Sequence, residues 1–197
     1  MPSLNEAIAS FIAAWRLFLG RREALRLFDA SFSGFWKSFL ALVFLMPIYI
    51  PYILSERHVM LAASGLDEAA VPAQWFFFAR AVALLVDWVA FPALLAAIAK
   101  PLGLERGYVP FIVAHNWGEL LFSIPLALPA ILFHYGVLSG EVTAILTLIG
   151  FGLLLRYFYI AARVALQTTV GIATALVATD VLLSLVLAEL SSRLFGF

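Results

Sequence analysis

Between Lys37 and Glu56 the chain reads SFLALVFLMPIYIPYILS, a stretch without one charged residue. Such a run has few fates. Roughly 20 consecutive apolar residues in a helix cross the hydrocarbon core of a bilayer, whereas a surface helix of a soluble domain keeps a polar face. Comparable runs recur at about residues 35–54, 75–99, 109–133, 142–160 and 168–190. Their recurrence predicts an all-α fold, a polytopic membrane bundle of five spans. Residues 1–34 form an N-terminal segment ahead of a membrane domain over residues 35–197. Composition agrees, since 64% of the 197 residues are hydrophobic and 12% charged, against about a quarter charged in soluble domains. The mean hydropathy is +1.05.

A formal net charge of zero, with no basic stripe interleaved with aromatics, argues against a nucleic-acid partner. The absence of cysteine excludes disulfides, thiolate metal sites, thiol catalysis and palmitoylation. The opening MPSLNEAIASF lacks a basic segment, an apolar core and a small-residue cleavage site. No removable signal peptide is therefore expected, and the first span serves for insertion. Ser3 and Glu6 have capping-box spacing, and Leu4, Ile8, Phe11, Ile12, Trp15, Phe18 and Leu19 share one helical face up to Gly20. Arg16, Arg21, Arg22 and Arg26 surround a second short amphipathic stretch, EALRLFDASF. Two placements stay open for this region: lying in the headgroup layer as an amphipathic helix, or packed on the cytoplasmic side of the bundle.

Pro47 and Pro51 predict a kink in the outer half of the first span. Pro125 and Pro129, with His115, Asn116, Gly118 and Glu119 crowded at its start, predict a broken third span. The basic residues alternate. Arg16, Arg21, Arg22, Arg26, Lys37, Lys100, Arg106, Arg156 and Arg163 fall at one end of a five-span layout, leaving Arg57, Arg80 and Arg193 of the twelve Lys and Arg at the other. The positive-inside rule then puts the N-terminus in the cytoplasm and the C-terminus outside, in a cell inner membrane.

The polar residues inside the apolar runs are the candidate site. Asp87 in LVDW and Asp180 in ATDV each sit about midway along a span, at the same depth by helical rise. Each costs roughly 2.5 to 3.5 kcal/mol on insertion scales, so both should face the bundle interior. Ala83, Ala90 and Phe91 share the face of Asp87, and Thr169, Ala173, Ser184 and Ser191 that of Asp180. Pro92 leaves a carbonyl without its helical donor beside Asp87. Arg156, about 7 Å toward the cytoplasm by count, is the candidate basic partner, its alternative being to snorkel to the headgroups. The acids are thus paired, neutral and hydrogen-bonded, or proton carriers. His115, Asn116 and Glu119 form a candidate polar cluster at the cytoplasmic entrance of the third span. His115 and Glu119 have a chelating spacing, yet two ligands make no metal site, and no metal or cofactor is expected.

No nucleophile elbow, phosphate loop or dinucleotide fingerprint is present, and LVDW and ATDV differ from the YD and GxGD motifs of intramembrane aspartyl proteases. No enzymatic activity is expected. The five-span layout, the proline-rich third span and the closing pair YFYIAARVALQTTVGIATALVATDVLLSLVLAEL resemble the Yip (Ypt-interacting protein) superfamily and its bacterial relatives. The likeness covers roughly residues 30–195 and includes the aromatic end of span four, Arg163 and the small-residue fifth span. The resemblance implies the five-span architecture, and the leading expectation is a non-enzymatic scaffold or membrane-organising protein whose interior polar residues hold the bundle together, with the bilayer and a second copy or another membrane protein as partners. The rival expectation is a small proton-coupled transporter or channel using Asp87 and Asp180 with Arg156.

Overall fold

The computed structural model describes residues 2–196 apart from 66, 68 and 70. Along the chain lie α1 (Leu4–Phe18), a 3-10 helix (Arg22–Leu27), α2 (Phe32–Phe39), α3 (Leu42–Ser64), α4 (Ala73–Ala99), α5 (Glu105–His134), α6 (Gly140–Ala165) and α7 (Val170–Phe195). There is no strand among the described residues. Five segments are long and apolar enough to cross a membrane: Phe32–Ser64, which joins α2 and α3, and the helices α4 to α7.

The centre of the bundle is α5. From Phe111 to Gly118 every residue is buried, so this helix has neighbours all round, with α1, α2, α3, α4 and α6 against it. It also corrects an expectation, since the third span is not broken. Pro110, Pro125 and Pro129 lie within one continuous helix. Packing on every side holds the backbone through the prolines, as neighbouring helices do for proline-bearing spans in membranes. The closest neighbour is α6, which reaches α5 through three glycines. A Cβ at Gly150 would stand 2.7 Å from the Pro125 carbonyl oxygen, one at Gly118 would overlap the Tyr157 ring, and one at Gly107 would overlap the Ala165 carbonyl. The Tyr157 hydroxyl then donates to the Ala114 carbonyl at 2.7 Å. Buried hydroxyls of this kind satisfy themselves on helical backbone.

The first span also departs from expectation. The amides of Leu40 and Ala41 reach back only three residues, to Lys37 and Ser38, which tightens the turn between α2 and α3. Beyond it α3 passes through Pro47 and Pro51 and continues to Ser64, ten residues past the expected end at 54, where Gly65 caps it at φ 65°. Contacts absent from a sequence window hold this extension. Glu56 pairs with Arg80 of α4 at 2.5 Å, and Arg57 donates to the Val71 carbonyl at 2.9 Å.

The N-terminal helix packs on the bundle. Ala7, Ser10, Ala13, Ala14 and Leu17 are buried against α5 and α6, with Phe11 on Trp117 and Phe18 on Phe122. Leu4, Ile8, Ile12, Trp15 and Leu19 face outward as an apolar stripe. The capping box forms as the sequence predicts, Ser3 N–H to Glu6 at 2.6 Å and Glu6 N–H to Ser3 Oγ at 3.2 Å. Lys37 Nζ donates to the other Glu6 oxygen at 2.6 Å. The Lys37 hydrogen bond first, then the Ser3 amide and hydroxyl, draw the Glu6 carboxyl down from 4.5 to about 2. A folded value below the unfolded one means the stabilisation is complete above about pH 4.5 and fades as pH falls toward about 2. Protease access to α1 in detergent should therefore rise only across that acid window, and Glu6→Gln should abolish the dependence. A transition at neutral pH would contradict the assignment.

Ring contacts define the two ends. Trp75 meets Phe195 and His58 meets His134 at one end. At the other, Phe35 meets Tyr108, and Gly107 lies against Ala165. The 3-10 helix lies at the second end, where Arg22 and Arg26 share a recess with Arg163, and that end is called the basic end below.

Candidate functional site

From the basic end, His115 lies ten residues into α5, Asp180 ten residues into α7, and Asp87 twelve residues before the end of α4. At about 1.5 Å per residue, that is roughly 15 to 18 Å of helix in each case, near the middle of a bilayer core. The three side chains converge there on a cavity of about 480 Å³, which Glu119 and Ser184 also line. The Ser184 hydroxyl donates to Asp87 Oδ1 at 2.7 Å. His115 Nε2 lies 3.1 Å from Asp180 Oδ2. Its Nδ1 is 3.8 Å from Glu119 Oε2, an ion-pair distance too long for a direct hydrogen bond.

Apolar groups fix the imidazole. Phe158 stacks on it at 4.1 Å between centroids and 14° between planes, and Phe91 and Phe111 close its flanks. A ring held this way keeps one nitrogen on Asp180 and turns the other toward Glu119, giving the ordered line Glu119, His115, Asp180. Imidazole passes a proton between its nitrogens by taking one up and releasing the other, so His115 can exchange one directly with Asp180, while Glu119 stands beyond hydrogen-bond distance of its other nitrogen. Toward the far end the cavity reaches the Glu56–Arg80 pair beneath Tyr49 and Tyr52. Tyr49 donates to the Arg80 carbonyl at 3.2 Å, and the Arg80 guanidinium lies 5.2 Å from the Phe76 ring.

Charge makes the cavity unusual. Arg80 answers Glu56, which leaves Asp87, Glu119 and Asp180 around a single histidine. An excess of carboxylate in a low-dielectric interior has to be neutralised by bound protons or by a cation. Three further groups want partners: His115 Nδ1, Trp88 Nε1 and Arg80 Nε are buried without a hydrogen bond, and all three residues line the cavity. Among the described residues, no three of His, Asp and Glu come together closely enough to hold a metal ion.

The structure thus joins Asp87 and Asp180, as their equal depth predicts, but it rearranges the other candidates. Arg156 is not their partner. Its guanidinium lies 4.2 Å over the Phe18 ring, against α1. The face of α6 that lines the cavity carries Phe151, Leu154, Leu155 and Phe158, and Arg156 points away from it. The entrance cluster divides as well. His115 and Glu119 face the cavity well inside the bundle, whereas Asn116 points to α2 and donates to Ser38 Oγ at 3.0 Å. One residue along a helix turns a side chain by about 100°, enough to part Asn116 from its neighbour. Sequence reasoning missed the Glu56–Arg80 pair, the two tyrosines, and Ser184 as a donor. Spacing held a signal for two of these. Arg80 and Asp87 are seven residues apart, and Asp180 and Ser184 four apart, so each pair shares a helical face.

Fold and site together define an all-helical bundle with five helices fit to cross a membrane and an acid-rich cavity among them. The chain matches no family model, no curated protein and no solved structure.

Proposed function

We propose that the chain is a multi-pass inner-membrane carrier, with its N-terminus in the cytoplasm, that exchanges protons for a small hydrophobic cation at Asp87, His115 and Asp180. One observation carries the reading: the mid-membrane carboxylates open onto a cavity large enough for a solute rather than being sealed by packing. Ionisable side chains at that depth are costly and are retained chiefly along ion, proton or substrate paths. The aromatic lining, with Tyr49, Tyr52, Trp88, Phe91 and Phe158, suits a cation that also has apolar surface, because ring faces attract positive charge. The orientation rests on the five-span layout, which by residue count assigns nine of the twelve basic residues to one side. No bond of the solute is made or broken, so the activity is transport and not catalysis.

The scaffold reading, with the Yip-like layout behind it, draws on the five spans and the docked N-terminal helix. It gives the cavity no task.

The test is reconstitution. Vesicles holding the protein and a trapped pH dye should show internal pH changes when a gradient of tetraphenylphosphonium or a hydrophobic amine is applied. Protein-free vesicles define the leak. Vesicles with protein that stay at the leak rate for both cations would sink the proposal.

A further inference from the structure

At the basic end, away from the acid cavity, three arginines face a second recess. It measures about 490 Å³ and is lined by Arg22 and Arg26 of the 3-10 helix, Arg163 of α6, and Gln167 and Thr168 of the turn into α7, with Leu25 among its apolar walls. No carboxylate lines it. Among the described residues, none of the three arginines takes part in an ion pair. Their charge is therefore not spent within the fold.

The local chain geometry makes the recess firm. Arg163 donates to the Thr168 carbonyl, which fixes its guanidinium across the turn. Gln167 takes φ 49°, so the chain reverses from α6 into α7 within a few residues. The first turn of α7 opens beside this point, and Thr169 caps it from Ile172 N–H at 3.3 Å. The start of a long helix adds partial positive charge to that of the guanidiniums. In the same N-terminal segment, Trp15, Leu19 and Leu27 are exposed apolar side chains. Arginine presents paired N–H donors that match a phosphate, and basic pockets between helices at the cytoplasmic face of a membrane hold lipid headgroups.

We infer that the recess formed by Arg22, Arg26 and Arg163 binds a phosphate group, supplied by an anionic phospholipid whose acyl chains lie along the outward apolar face of α1. The bound headgroup ties the N-terminal segment to the α6–α7 turn. It is a structural lipid site at the membrane surface and is independent of the transport cavity.

The purified full chain in neutral detergent, titrated with phosphatidylglycerol, phosphatidylcholine or inorganic phosphate and followed by native mass spectrometry, tests this. Phosphatidylglycerol should be retained in preference to phosphatidylcholine. The doubly substituted Arg22→Gln/Arg26→Gln protein should bind it roughly thirty-fold more weakly, at about fivefold per basic group near an anionic surface. Both arginines are exposed, so these changes leave the core intact. Inorganic phosphate that binds as tightly as the lipid, and is lost in the same variant, would assign the site to free phosphate and support the shared chemistry. Equal retention of the two lipids by the unsubstituted protein, or unchanged affinity in the variant, overturns the inference.

Discussion

Gly118→Ala is expected to lower the melting temperature of the detergent-solubilised protein by roughly 2–12 °C, since overpacking costs about 1–3 kcal/mol and each kcal/mol moves the midpoint about 2–4 °C in a chain of this size. The added methyl would occupy the space of the Tyr157 ring. That ring has nowhere to go: it is fully buried, packs on Phe122 at 5.0 Å, and is tied by its hydroxyl to the Ala114 carbonyl. The contact lies on the seam between α5 and α6, so the damage reaches the element around which the others are arranged. Gly152→Ala is the internal control. Nothing stands within 4 Å of its added carbon, and alanine is the better helix former, so stability should hold or rise. A smaller side chain at Tyr157 should partly rescue Gly118→Ala, the signature of two coupled sites. Equal melting temperatures for the two glycine variants would show that the seam is not packed as described.

The second large effect is functional. Asp180→Asn and Asp87→Asn should each reduce cation-driven proton movement to the level of protein-free vesicles while leaving a folded protein. The amide keeps a hydrogen-bonding group opposite His115 Nε2 or Ser184 Oγ, so the packing survives, but it cannot bind or release a proton. Asp180→Leu differs, because it strands the buried His115 nitrogen at a cost of about 1–3 kcal/mol. That variant should lose both transport and stability. Arg156→Gln, whose side chain meets Phe18 and not the acids, should transport normally. Transport lost in Arg156→Gln and kept in Asp180→Asn would reverse the assignment of the site.

Depth was legible in the sequence and direction around each helix was not. Counting residues at a fixed rise placed Asp87 and Asp180 at one level, and the structure brings both into one cavity. The same arithmetic put Arg156 within reach of them, because depth says nothing of which way a side chain faces. Whether α6 turns Arg156 toward α7 or toward α1 depends on the glycine seam with α5, a contact between distant parts of the chain. A third span that starts at 109 and breaks at its prolines puts His115 at an entrance. The helix starts at Glu105 and runs through them, which carries His115 inward to Asp180. Glu56 looked like the end of an apolar run, and its pairing with Arg80 is what keeps it inside the longer α3. Local signals such as the Ser3–Glu6 capping box were readable outright, since both partners lie within one turn.

The proposed exchange puts protons and a cation in competition for one cavity. It is tested most directly by adding tetraphenylphosphonium to the purified protein in weakly buffered detergent and following the pH with an indicator dye. Competition predicts proton release in proportion to the cation bound, and none from the Asp87→Asn/Asp180→Asn protein. Cation binding without proton release, or release that persists in the double variant, would contradict it.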